Sequence, residues 1–233
     1  MKISIRKSNA RGRADHGWLK SQFSFSFADY YDPAHMGFRC LRVINEDWIA
    51  PGGGFPTHPH RDMEIFTVLV RGTLEHKDSM GNGRQLKPGQ IQLMSAGSGV
   101  THSEFNPSNS EPAHLLQIWI LPRTKNLTPS YTEWQPSTNR PAAQKTLIIA
   151  GDGRDGAATI HQDADIHRIS LAPGECVSHT VLPGRAVWIQ CIQGSAVCQG
   201  TPMERGDAIH TEDEGHLSLT ATSQLDALLF DLP

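Results

Sequence analysis

The feature that most constrains this chain is its punctuation. Glycine (21 residues) and proline (15) recur along all 233 residues and leave only short apolar runs between them. Glu64–Val70 (EIFTVLV), Gln90–Met94, Leu115–Leu121 (LLQIWIL) and Val187–Ile192 are examples. Runs of ~5–8 residues bounded by turn signals read as strands of a sandwich or barrel. Apolar patterns of helical period are scarce, and only Gly17–Phe23 offers a weak helix. The expected class is all-β.

A break follows Pro122. Arg123–Lys145 holds Pro129, Pro136 and Pro141 among Ser, Thr, Asn and Gln, which disfavours regular structure. It reads as a linker, partly ordered by Tyr131 and Trp134. The two sides resemble each other. EIFTVLVRGTLEH around Gly72 and AVWIQCIQGSAVC around Gly194 share an apolar run, a polar residue, a glycine and a second strand. A repeat at about 120 residues implies duplicated domains rather than a solenoid. The expected boundaries are a barrel over 1–122, a linker over 123–147 and a degenerate barrel over 148–233. That length suits two domains of about 110 residues.

Charge excludes some functions. The net charge is −3 and the sequence pI about 6.4, so nucleic-acid binding has no electrostatic support. No run approaches the ~18 apolar residues of a membrane span. The N-terminus lacks an apolar signal core. Cys40, Cys176, Cys191 and Cys198 form no CxxC pair. A reducing cytoplasm is the expected compartment.

Histidine position carries the chemistry. His58 and His60 are one residue apart, as are His102 and Glu104. In a strand, residues i and i+2 share a face. Two such pairs on neighbouring strands bring three imidazoles and a carboxylate to one point, a donor set for iron, nickel, copper, zinc or manganese. Pro59 favours an edge strand or strand end. Gly97 and Gly99 start the second strand from a tight turn. Ligands at strand ends line a barrel mouth.

These segments resemble the two cupin motifs. Gly52, five residues, His58-Pro-His60, three residues and Glu64 follow the first, with its closing glycine, Gly72, one residue late. Gly89 and Gly99-Val-Thr-His102-Ser-Glu resemble the second, with the usual proline replaced near Ser95 and a longer turn. THPHRDMEIFT, SMGNGRQLKPG, MSAGSGVTHSEFNP and the opening HGWLKSQFSFSFADYYDP are similar to segments of the pirin family. The similarity is strong from about Arg6 to Pro122 and weaker beyond. It is closest to bacterial pirin-like proteins described as quercetin 2,3-dioxygenases.

The resemblance implies a bicupin of two tandem jelly-roll barrels, with His58, His60, His102 and Glu104 as ligands of one divalent metal. Fe(II) is the expected ion, with Cu, Ni, Mn or Zn as alternatives. It further implies flavonol 2,3-dioxygenation with loss of carbon monoxide, the substrates being a planar flavonol and dioxygen. Glu104 would take the 3-hydroxyl proton. Glu64, a ligand position in many cupins, is either a support behind a ligand histidine or a strand carboxylate paired with Arg61 or water. Phe25, Phe27, Met36, Phe38, Phe55, Met94 and Phe105 are either pocket wall or barrel core. Aligning Gly194 with Gly72 puts Thr180 and Leu182 at the places of His58 and His60, so no metal is expected in the second barrel. The competing class is a metal-binding, redox-sensing regulator acting through a protein partner without turnover. A monomer is expected.

Overall fold

The computed structural model describes residues 1–136 and 144–233. Among them the only helical elements are the short turns Ser8–Ala10 and Arg154–Gly156. No helix among the described residues is long and apolar enough to cross a membrane. The rest of the regular structure is strand, so the all-β expectation holds. The apolar runs read from the sequence become the strands Glu64–Arg71, Ile91–Ser95, Ala113–Ile120 and Ala186–Gln193.

The first compact unit comprises Gly12–Pro136 with Ala158–Gln162. A seven-stranded sheet runs in the order Ser130–Trp134, Ile91–Ser95, Glu64–Arg71, Ala113–Ile120, Leu41–Ile49, Leu19–Phe23, Gly12–Asp15. A four-stranded sheet runs Gly54–His60, Val100–Phe105, Leu74–Asp78, Gly83–Leu86. Strand alternation stacks the interior in layers. Leu19, Ile49, Leu69, Leu74, Leu86, Ala113 and Leu115 form an apolar cluster. One layer on, Gln117 is opposite both Asn45 and Thr67, and Thr67 is opposite Gln92. Beyond these, Ile65, Met94, Ala96 and Val100 pack with Trp119 and Tyr131. The polar layer is costly to bury unless its members bond one another, and Thr67, Gln92 and Gln117 do so around Glu104.

The second unit comprises Met1–Arg11, 137–157 and Asp163–Pro233. One sheet contains, in order, Ser4–Arg6, Ala208–Thr211, Ala186–Gln193, Leu225–Leu232, Asp165–Leu171 and Lys145–Ala150. The other runs Cys176–Val181, Gly215–Ala221, Ser195–Cys198, Thr201–Glu204. Five consecutive strands of the large sheet and all four of the small one repeat the order of the first unit, so the structure carries the duplication. Gly72 and Gly194 both sit in left-handed hairpin turns, at φ 84° and 83°. A Cβ on Gly194 would meet the Gln224 carbonyl oxygen at 2.0 Å. Only glycine meets both demands.

Three expectations are corrected. Leu19–Phe23 is a strand, not a helix: Leu19, Ser21 and Phe23 alternate inward, and it pairs on both sides. The first domain does not begin at residue 1. Ser4–Arg6 adds to the edge strand Ala208–Thr211, Ser8 N–H donates to Asp207 Oδ1 at 2.8 Å, and Ile3 and Ile5 pack on the second unit's core. An unpaired edge satisfies its backbone groups with any strand that reaches it. The span 123–147 is not all linker either. Ser130–Trp134 pairs with Ile91–Ser95, and Lys145 opens the strand Lys145–Ala150. Pro141 lies outside the described residues.

Candidate metal centre

Among the described residues Gly54–His60 is an edge strand, paired only with Val100–Phe105. It tolerates Pro59 for that reason, since a proline lacks the N–H an interior strand must donate. His58 faces His102 directly in this pair. The imidazole centroids are 4.8 Å apart for His58 and His60, 4.5 Å for His58 and His102, and 4.9 Å for His60 and His102. One ring nitrogen from each lies within 4.8 Å of the others.

The protonation pattern suits a cation. His58 Nδ1 donates to the Pro56 carbonyl at 2.8 Å, which leaves Nε2 as the ring atom that could ligate a metal. His60 packs edge-on against Trp119 at 4.9 Å. Burial, then neighbouring His58, pulls the His60 imidazole down to about 4. His102 is 2% exposed. Burial first, then His58, His60 and His76, takes it down to about 2. Both rings are neutral near pH 7, as metal ligation requires. Among the described residues His102 Nε2 is buried and makes no hydrogen bond. An orphaned lone pair among three imidazoles fits a metal ion as the missing partner.

Glu104 lies deeper. It groups with His102 and His76 rather than with His58 and His60. Gln92 Nε2 donates to its Oε1 at 2.8 Å, Thr67 Oγ1 to the same oxygen at 3.3 Å, and Gln117 to Oε2. Burial pushes the carboxyl up to about 7, against the pull of Thr67, Gln117 and Gln92. A carboxyl near neutrality suits a group that takes and returns a proton.

Glu64 points the other way. Its neighbour Ile65 packs in the interior cluster, so Glu64 takes the opposite face of the strand. There Ser95 Oγ donates to it at 2.6 Å and the His161 backbone N–H at 3.2 Å. Among the described residues it bonds neither a ligand histidine nor Arg61. The residues that sequence reasoning missed are His76, Thr67, Gln92 and Gln117. Their signal was alternation alone: Leu74, His76 and Asp78 share a face, as do Leu115, Gln117 and Trp119. Of the aromatic and Met residues singled out, Met94 is core, whereas Met36 and Phe105 are exposed. In the second unit Thr180 faces His216, with Thr180 Oγ1 and His216 Nδ1 3.0 Å apart.

An open cavity of about 550 Å³ adjoins His60 and is lined also by Pro59, Arg61, Ser79, Gly99, Val100 and Thr101. This volume is in the range of small-molecule sites.

Comparison with known proteins gives the same picture. The Pirin family model matches residues 4–120, and the model described as quercetinase C-terminal cupin domain matches residues 147–232. The chain is 47% identical to the quercetin 2,3-dioxygenase of Escherichia coli K12 over 231 residues, 99% of each. It is 43% identical to a putative quercetin 2,3-dioxygenase of Pasteurella multocida, again over 99% of each. The crystal structure of bacterial pirin YhhW from E. coli in complex with nickel(II) is 47% identical, with a TM-score of 0.94 over 100% of this chain and 99% of that one. Both halves of the chain, in sequence and in fold, thus place it in the pirin family of bicupins, to which it belongs.

Proposed function

We propose that the chain is a metal-dependent dioxygenase that opens flavonols such as quercetin by 2,3-dioxygenation, releasing carbon monoxide. Its site is one divalent ion held by His58, His60, His102 and Glu104. The observation that carries this reading is the convergence of three imidazoles, one with an orphaned buried Nε2, with an open cavity at His60. The dioxygenase names of its full-length relatives support the substrate class. Fe(II) is the ion we expect, and Ni(II) is the ion in the related E. coli structure.

A bound divalent ion supplies Lewis acidity and open coordination positions for substrate and dioxygen. The chain's residues do the rest. His58 is locked by the Pro56 carbonyl and His60 is braced by Trp119. Glu104 receives the flavonol 3-hydroxyl proton, and Gln92, Gln117 and Thr67 hold its carboxylate in place while it does so. Ile65, Met94, Ala96 and Val100 form a buried apolar cluster, and Val100 also lines the cavity. Arg61, Ser79 and Thr101 offer polar contacts at the mouth.

The test is metal content and oxygen-dependent loss of quercetin absorbance, on wild type and His58→Ala reloaded with Fe(II), Ni(II), Cu(II) or Mn(II). About one ion per chain in the wild type, with turnover lost in His58→Ala, is the expected result. Bound metal with no turnover for any ion would overturn the dioxygenase reading and favour the regulatory one.

A further inference from the structure

His76 and Asp78 share a face of the strand Leu74–Asp78, and their side chains are 1% and 0% exposed. The strand pairs with Val100–Phe105, setting His76 opposite Glu104 and Asp78 opposite His102. Asp78 accepts the backbone N–H groups of Met80 at 2.9 Å and Asn82 at 3.0 Å, and the Asn82 side-chain amide at 2.8 Å. Three donors keep it a carboxylate, and a carboxylate only accepts. His76 Nε2, 3.1 Å from Asp78 Oδ2, therefore carries a hydrogen.

The other nitrogen of His76 is an acceptor. Its Nδ1 lies 3.5 Å from Gln92 Nε2 and 3.4 Å from His102 Nδ1. Gln92 presents its amide nitrogen there because the same group donates to Glu104. With His76 Nδ1 accepting, the hydrogen between the two rings belongs to His102 Nδ1. The lone pair of His102 is then on Nε2, the atom that is buried and unpartnered. Tyr131 packs on the His76 ring at 5.1 Å and holds its plane.

We infer that Asp78 and His76 form a positioning relay that fixes the tautomer and orientation of His102, and so sets the metal affinity of the site. This rests on the reading of His102 as a metal ligand. The relay replaces what a carbonyl does for His58. His58 sits at an edge strand and finds the Pro56 carbonyl directly. His102 is on a strand paired on both sides, whose carbonyls are engaged in the sheets, so its support comes through a second imidazole. Support groups of this kind hold tenfold to hundredfold in metal affinity.

The experiment pairs long-range 1H–15N correlation of the histidine rings in the metal-free wild type with Zn(II) competition against a chromophoric chelator. Variants are His76→Leu and the milder Asp78→Asn. The expected wild-type pattern is hydrogen on Nδ1 of His102 and on Nε2 of His76. The expected variants bind Zn(II) tenfold to hundredfold more weakly, lose the single His102 tautomer and leave that of His58 unchanged. Hydrogen on His102 Nε2 in the wild type would overturn the relay, and this arm needs no variant to fold. So would Zn(II) affinity within threefold of wild type in natively folded variants. Loss of one imidazole from the zinc shell of His76→Leu, by X-ray absorption, would make His76 a ligand and overturn its positioning role. Failure of the wild type to take up Zn(II) would instead overturn the ligand reading beneath the relay.

Discussion

His58 stands directly across from His102, yet two residues further along the same pair Glu104 faces Phe55 rather than Pro56. One extra residue in the edge strand makes this bulge, and bulges re-aim side chains. The bulge falls where the Pro56 carbonyl takes the His58 Nδ1 hydrogen.

Among the described residues His102 Nε2 is buried and unpaired, a cost that an apolar side chain of similar size removes. His102→Leu should therefore keep the metal-free stability within about 1 kcal/mol of wild type while abolishing metal binding. Thermal unfolding with and without Ni(II) checks this. The wild type should gain about 2.7 kcal/mol at a hundredfold excess over Kd, and the variant nothing.

Gly54 lets the two ligand strands close. A Cβ there would lie 2.4 Å from the Glu104 carbonyl oxygen and 2.6 Å from Phe105 Cα. Gly54→Ala should cost about 1–3 kcal/mol in urea unfolding and weaken metal binding by parting His58 from His102. Unchanged metal affinity would count against this spacing role.

Glu64 is 1% exposed, and Ser95 and the His161 backbone N–H donate to it on the face away from the histidines. Glu64→Ala should lower stability by about 1–3 kcal/mol through the donors left unpaired. Chelator competition should give wild-type metal affinity. A tenfold loss of affinity would return Glu64 to the site.

Asp47 is pushed up to about 7, first by burial and then by Glu46, with Ser21 opposing. Between about 3.8 and 7 the folded chain holds a proton on Asp47 that the unfolded chain has lost. Stability of the metal-free protein therefore falls as pH rises through that window, by up to about 1.4 kcal/mol per pH unit from this group. The penalty is complete above pH 7. Asp47→Asn should flatten this part of the profile and raise stability at pH 8, read from urea midpoints across the range.

Short-range pattern determined much of this protein. Alternation and glycine–proline spacing specified strands, the Gly72 and Gly194 turns marked two related barrels, and the i, i+2 pairs placed His58 with His60 and His102 with Glu104. Each of these depends on a few neighbouring residues and is legible before any tertiary contact exists. Other features needed the folded sheets. Period two says which residues share a face but not which face turns inward, so Glu64 stayed open between site support and a strand carboxylate, and His76 went unread. Ser4–Arg6 pairs with a strand some two hundred residues away, and Leu19–Phe23 becomes a strand because it has partners on both sides. Hydrogen-bond partners far apart in the chain leave no local periodicity, so only the assembled barrel decides them.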